Sequence, residues 1–293
     1  MTTSAILEND LLESQFVEKI LNDIESNQLV LPTLPEIGLR VRKLVDDPDI
    51  TALKLSRVIS ADGAVSARLL QVANSVSYAG REPVIELRSA VSRLGHAQVR
   101  SLVTSLVMAQ IFNLKKLDPA IQNKIKKLWI DCTKIGALSQ VLAKNFTRIK
   151  PDEAMLAGLT HLIGWLPVLS CANDFPQFVG DAKALKRVCH STGKQVSEAI
   201  MEAWKFPDAF KTVVTEFDHL DREGESPKIE LVDIVIVARL HHAIGTPNHP
   251  YAKLDWMTLT PFKKFGLEPE ESIRAINEAK QEISQLQSLL IGA

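Results

Sequence analysis

The chain has 293 residues, of which 46% are hydrophobic and 24% are charged. This composition is typical of one or two globular domains and excludes an intrinsically disordered chain. With 34 basic and 35 acidic residues the formal net charge is −1, so no global field favours nucleic acid or an anionic membrane as a partner.

The N-terminal segment, residues 1–30, has its apolar residues at helical spacing. Phe16, Ile20 and Ile24 recur four residues apart, which predicts an amphipathic helix. The acidic residues Glu8, Asp10 and Glu13 come before any apolar run, so we predict no signal peptide.

Residues 31–115 are predicted to form a compact helical subdomain. Pro35 suits the first turn of a helix, and Thr51 and Asp62 can each cap the start of another. Gly95 follows an apolar run at the position where a left-handed residue ends a helix. The segment contains four short motifs: Leu31-Pro-Thr-Leu-Pro35, Ile59-Ser-Ala-Asp62, Ala73-Asn-Ser75 with Tyr78, and Ala90-Val-Ser-Arg-Leu-Gly95.

Residues 116–248 are predicted to form a second helical subdomain. Asp118-Pro119 starts a long amphipathic helix that runs to Phe146, and further helices are predicted near 182–190, 194–204 and 207–217. The uncharged stretch 154–173 is long enough to span a bilayer. It lacks flanking basic anchors and contains His161 and Pro167, so we predict a buried helix broken near 164–167.

The tail, residues 249–293, carries apolar residues at nearly heptad spacing. Ile276, Ile283, Leu286 and Leu290 are separated by seven, three and four residues. We favour a helix docked on its own domain, and the alternative is a homodimer seam or a partner-binding helix. The three cysteines are widely spaced and odd in number, which indicates a reduced, cytoplasmic compartment.

In their order and spacing, the four motifs resemble the HDOD output domain of bacterial signalling proteins. The resemblance covers roughly residues 30–245 and departs from the family at Gly63, where proline is usual. It implies an all-α fold of two lobes, a helical N-terminal subdomain followed by an HD-like helical bundle. It also implies a helix at 229–242, where the β-branched residues alone would favour a strand.

The resemblance further implies a degenerate metal site. HD phosphohydrolases hold a divalent metal with a His, an adjacent His-Asp pair and a later Asp, and the metal activates a water for attack on phosphorus. Here Asp131 stands at the first His, Leu162 follows His161 in place of the Asp, and Arg239 stands at the last Asp. Glu216 lies near the extra His pair of the cyclic-dinucleotide enzymes.

These replacements remove carboxylates and add a positive charge, so we predict no metal and no other cofactor. His161 is then expected to be a hydrogen-bonded core residue. We also hypothesise that Asp131 and Arg239 form an ion pair in the vestigial pocket.

We therefore predict a non-catalytic regulatory module that meets signalling proteins in trans. A contact surface at Asn74, Ser75, Tyr78, Arg81 and Glu82 is one interpretation of the family-specific residues, although a role in holding the fold is favoured for them. The alternatives are a divergent metal-dependent phosphohydrolase acting on a nucleotide or cyclic dinucleotide, and an anion or nucleotide sensor that uses the vacated pocket with Arg239. Nucleic acid and membranes are not expected partners.

Overall fold

The computed structural model describes residues 3–26, 28–76, 78, 80–112, 117–175, 178, 181–222, 227–244, 251 and 254–291, with side chains from residue 12 onward. Throughout these ranges the regular elements are helices, with no strand. The predicted all-α class is therefore confirmed.

The first part of the chain forms helices that begin largely where the sequence predicts them. Thr51 and Asp62 each accept a hydrogen bond from the amide three residues on, at 3.2 and 3.0 Å. Gly95 adopts a φ of +82° between two helices, a conformation that favours glycine. The helices are α1 (Thr3–Glu25), α2 (Glu36–Val45), α3 (Ala52–Ile59), α4 (Gly63–Ala73), α5 (Leu87–Leu94) and α6 (His96–Ile111).

The second part is built around one long central helix. Its start is capped as predicted, because Asp118 accepts from the Ala120 amide at 2.7 Å and proline occupies the first turn. The helices are α7 (Pro119–Phe146), α8 (Pro151–Thr160), α9 (Trp165–Cys171), α10 (Ala182–Ala203), α11 (Asp208–Glu216) and α12 (Leu231–Ala243).

Two predictions in this part have opposite outcomes. The β-branched stretch is helical, as the family implied: α12 starts with Glu230 and Asp233 capping each other's backbone amides. The break expected between 190 and 194 is wrong, since α10 is continuous. Gly193 lies inside it because Trp165 packs there, and a Cβ would come within 2.6 Å of its ring.

The apolar segment 151–174 is broken, as predicted, by a turn at 161–164 between α8 and α9. By length and composition alone it could cross a membrane, yet 78% of its most apolar window is buried within the fold. Burial inside the protein accounts for its hydropathy.

The tail adds α13 (Thr260–Phe265), α14 (Pro269–Glu278) and α15 (Lys280–Ile291). α15 packs against α7, α4 and α6, and Leu286 and Leu290 are each only 2% exposed. The structure shows the favoured helix docked on its own domain, and a homodimer through this helix remains a prediction.

One hydrophobic core extends from α1 to α15. The predicted domain boundaries at 115/116 and 248/249 lie outside the described residues. The division into subdomains therefore remains a prediction.

Candidate functional site

His161 is the first residue after α8 and is completely buried. Its Nδ1 lies 2.7 Å from the carbonyl oxygen of Gly158. Because a carbonyl can only accept, Nδ1 carries the proton and Nε2 presents a lone pair, which has no partner in the described structure. Burial, and next the charge of Arg239, lower the pKa of His161 to about 3, so the ring is neutral at pH 7. His161 is therefore a core histidine that is hydrogen-bonded through one nitrogen.

Arg239 lies on α12 and is directed to Phe217. Its Nη1 donates to the Phe217 carbonyl oxygen at 2.9 Å, and its guanidinium carbon lies 4.5 Å from the centre of the Phe217 ring. His161 packs edge-on against the same ring, with ring centres 5.4 Å apart. Phe217 thus contacts both residues that the family resemblance assigns to the pocket.

The hypothesised Asp131–Arg239 ion pair is wrong. An Asp131 carboxylate oxygen lies 3.6 Å from Nε2 of His242, and no carboxylate in the described ranges comes within 4.0 Å of Arg239. His242 and Arg239 are three residues apart on α12 and so share a face. That spacing places His242 beside Arg239, but it does not show which of the two residues meets Asp131.

Glu216 belongs to a different cluster. It accepts from Arg222 at 2.8 Å, and Arg222 also pairs with Glu230 and Asp233 at 2.9 and 2.8 Å. Lys264 of α13 completes the cluster, 2.9 Å from the fully buried Asp233 carboxylate. This cluster fastens the tail to α12 and is structural in character.

The residues around His161 do not fit a metal of the HD type. Leu162 is half-buried against the core and offers no ligand atom. Nowhere in the described ranges do three His, Cys, Asp or Glu side chains come together in a way that could hold a metal ion. Of the described residues that the family resemblance assigns to the pocket, His161 has the geometry of a ligand, with one nitrogen fixed by a backbone carbonyl and the other without a partner.

The segment 75–85, which we term the contact loop, is held by side chains at its base. Asn74 donates to the Val84 carbonyl and accepts from the Val84 amide, both at 2.8 Å. Arg93 donates to the carbonyl oxygens of Glu82 and Ala73, at 2.5 and 3.2 Å. These bonds fix both ends of the loop from α4 and α5.

Tyr78 fastens the loop to the second lobe. Its hydroxyl donates to Asp152 of α8 at 2.5 Å and accepts from Gln140 of α7 at 2.6 Å. Asp152 is 5% exposed; burial raises the pKa of its carboxyl group, while the bond from Tyr78 opposes that shift. Burial is also the main cause that raises the pKa of Tyr78.

The five predicted contact residues therefore divide into two groups. Ser75 is 1% exposed and donates to the Val72 carbonyl, so it joins Asn74 and Tyr78 in holding the loop. Arg81 and Glu82 are exposed.

The sequence reasoning missed two apolar side chains on the same loop. Val76 is 70% exposed and Ile85 is 86% exposed. Their only signal was their position beside a glycine- and proline-containing loop.

The model of the HDOD domain family matches residues 31–219, which is most of the chain. The chain belongs to the HDOD family, whose members are degenerate relatives of the HD phosphohydrolases.

Solved structures share the fold along its whole length. A Shewanella amazonensis SB2B protein, provisionally named a metal-dependent phosphohydrolase, is 25% identical, with 95% of this chain and 99% of that chain covered at a TM-score of 0.81. A Marinobacter aquaeolei VT8 protein, provisionally named a signal transduction protein, is 18% identical, with 97% and 67% covered at a TM-score of 0.62.

An uncharacterized protein of Treponema pallidum (strain Nichols) is 21% identical over 269 residues. The match covers 86% of this chain and 49% of that protein, so this chain spans about half the length of its curated relative.

Proposed function

We propose that this protein is a non-catalytic regulatory module that binds signalling proteins in trans through the contact loop. The observation that carries the proposal is the combination of interior anchors and exposed apolar side chains on that loop. Asn74 at the end of α4 and Arg93 on α5 hold its base, and Tyr78 of the loop bonds to α7 and α8, while the side chains of Val76 and Ile85 are exposed to solvent.

The energetics favour such a surface as a binding site. Burying a valine or isoleucine side chain contributes roughly 1.5–3 kcal/mol. Positions already held by hydrogen bonds, such as Tyr78 and Val84, lose little entropy when a partner docks beside them. The exposed Arg81 and Glu82 add charged groups at the edge of this proposed binding surface. Charges at the edge of an interface influence the choice of partner more than the affinity.

The state of the HD-like pocket supports binding in place of catalysis. A hydrolytic HD centre needs several ligands to hold a metal and activate water. Of the described pocket residues, His161 has a ligand geometry, and Leu162 and Arg239 stand where carboxylates would be needed. In this proposal the protein acts in the cytoplasm and needs no cofactor.

Site-specific photocrosslinking in the cell of origin tests the proposal. A benzoylphenylalanine at Ile85 is expected to give a defined adduct with another protein, and Val76→Asp is expected to abolish it. The same probe at Leu53, an exposed apolar residue of α3, is the matched control. Identical adducts from both positions, or none from Ile85, would contradict the proposal.

A second candidate function is metal-dependent phosphohydrolysis. It is favoured by the name and whole-length similarity of the Shewanella protein and by the free Nε2 lone pair of His161. Elemental analysis of untagged protein, expressed with iron, manganese and zinc supplied, decides between the two. Substoichiometric metal is expected. One or two tightly held ions per chain that are lost in His161→Ala would favour the phosphohydrolase over the regulatory binding module.

A further inference from the structure

A cavity of about 510 Å3 lies between the two parts of the fold. We term it the interlobe cavity. One wall comes from α2 and α6, and the other from α8, α11, the start of α12 and the segment 205–207 that follows α10. It is separate from the pocket around His161 and from the contact loop.

Three cationic residues line this cavity, Arg42 of α2, Arg100 of α6 and Lys205, together with three acidic residues, Asp46, Glu153 and Glu230. Arg100 pairs with Asp46 at 3.0 Å, but the Asp46 side chain is 70% exposed, so the pairing neutralises the cavity wall poorly. Neither Arg42 nor Lys205 has a carboxylate within 4.0 Å in the described part of the chain.

Arg42 is fixed in place by a ring contact and a hydrogen bond, and the charge of Asp46 only partly offsets its burial. Its guanidinium carbon lies 3.9 Å from the centre of the Phe206 ring, and its Nη2 donates to the Lys205 carbonyl at 3.2 Å. Burial, and then the like charge of Arg100, lower the pKa of Arg42. A desolvated cation beside a second cation would be stabilised by an anion.

Lys205 is held in a conformation that its residue type disfavours. Its φ is +54°. Among the described residues, Lys205 is the one non-glycine residue with a positive φ. A glycine would end α10 there at lower cost. Strain at a residue that lines a cavity and whose carbonyl holds Arg42 is typical of a functional position.

A polar group and apolar walls complete the site. Ser101 lines the cavity and is only 5% exposed, so its hydroxyl is a polar group in the cavity wall. The lining also contains the apolar side chains Phe206, Phe210 and Leu231, and Glu153, which pairs with Lys150 at 3.4 Å. Glu230, which also lines the cavity, is already neutralised by Arg222 and Lys264 at 2.9 and 3.1 Å.

We propose that the interlobe cavity binds a small organic phosphate monoester. Its phosphate would be held by Arg42, Arg100, Lys205 and the Ser101 hydroxyl, and its apolar or aromatic body would pack on Phe206 and Phe210. Two guanidinium groups and an ammonium group match a phosphate dianion better than the single charge of a carboxylate. The cavity is large enough for a mononucleotide-sized molecule. The site gives the regulatory module an input that is independent of the contact loop.

Calorimetric titration of the full chain tests this with phenyl phosphate and adenosine 5′-monophosphate, each compared with inorganic phosphate and with adenosine. At least one ester is expected to bind at one site per chain, more tightly than phosphate or adenosine. Lys205→Gly is expected to weaken that binding about tenfold, because one charge-assisted contact is lost. Its thermal unfolding temperature should be unchanged or higher, because glycine relieves the strained φ.

Two further variants make the result decisive. Arg42→Gln is expected to weaken binding by at least as much as Lys205→Gly, and Lys183→Ala, an exposed lysine on the first turn of α10, should leave it unchanged. The proposal is overturned if neither ester binds at millimolar concentration, or if Lys205→Gly binds the ester as well as the wild type. Equal affinity for inorganic phosphate and the esters would also overturn it, since the apolar wall would then have no role.

Discussion

Replacing Tyr78 with phenylalanine tests how the contact loop is anchored. The ring remains, and only the hydroxyl that donates to Asp152 at 2.5 Å is lost. A hydrogen bond to a charged group contributes about 1.5–3 kcal/mol, and Asp152 is buried, so water cannot easily replace the donor. Gln140 still reaches the same carboxylate oxygen at 3.2 Å, which places the expected loss near the middle of that range, at about 2 kcal/mol.

The assay is urea unfolding at pH 7, followed by circular dichroism and by tryptophan fluorescence so that two-state behaviour is checked. A double-mutant cycle with Asp152→Asn isolates the pair. In the Asp152→Asn background the acceptor is uncharged, so Tyr78→Phe should cost about 1 kcal/mol or less.

The pH dependence of Asp152 gives a second readout of the same pair. Burial raises its folded pKa above the ordinary value of 3.8, so the folded protein binds a proton more readily than the unfolded chain. This contribution to stability is fully present below 3.8 and is lost as the pH rises through the folded pKa. The wild type should therefore gain stability relative to Asp152→Asn on acidification. A Tyr78→Phe cost below about 0.5 kcal/mol, or strict additivity in the cycle, would refute the anchoring argument.

Three further predictions concern the core, and all are measured by the same unfolding titrations. His161 stays neutral when folded, with a pKa of about 3 against 6.5, so the unfolded chain takes up the proton first. The protonation of His161 in the unfolded chain should therefore lower the free energy of unfolding by about 2 kcal/mol between pH 7 and pH 5. His161→Gln should remove this contribution to the pH dependence of stability. Gly164→Ala should cost more than about 3 kcal/mol, because a Cβ would lie 2.2 Å from a backbone oxygen, whereas Gly63→Ala meets no atom within 4 Å and should be neutral or stabilising. Lys264→Met should cost about 3 kcal/mol by leaving the buried Asp233 with one cation fewer, and an exposed lysine of the same helix is the control.

Local features of the fold could be predicted from the sequence, because local interactions determine them. Thr51 and Asp62 cap their helices through atoms three residues away, and such signals are present in any short window. The continuity of α10 could not be predicted in this way. Judged from the local sequence alone, Gly193 is typical of a helix end. The packing of Trp165 against Gly193 explains why a glycine stands inside a continuous helix.

The candidate site shows the same limit. The burial of His161 follows from its apolar surroundings in the sequence. The partner of Asp131 depends on which face of α12 meets α7, and no local pattern encodes that crossing. The exposure of Val76 and Ile85 was equally unpredictable, because an apolar residue in a sequence indicates burial until the fold shows otherwise.

α8 explains why a scaffold without its metal ligands still has a use. Gly158 packs so closely on α7 that a Cβ would lie 2.7 Å from the Cα of Gly136, and the Gly158 carbonyl holds His161. Close-packed helices move as one body, since their interface has no free volume. Asp152 stands at the other end of the same helix and accepts from Tyr78, so this position of the contact loop is tied to the α7–α8 pair. The positional accuracy that an enzyme of this superfamily needs for a metal serves here, in our proposal, to present a binding surface.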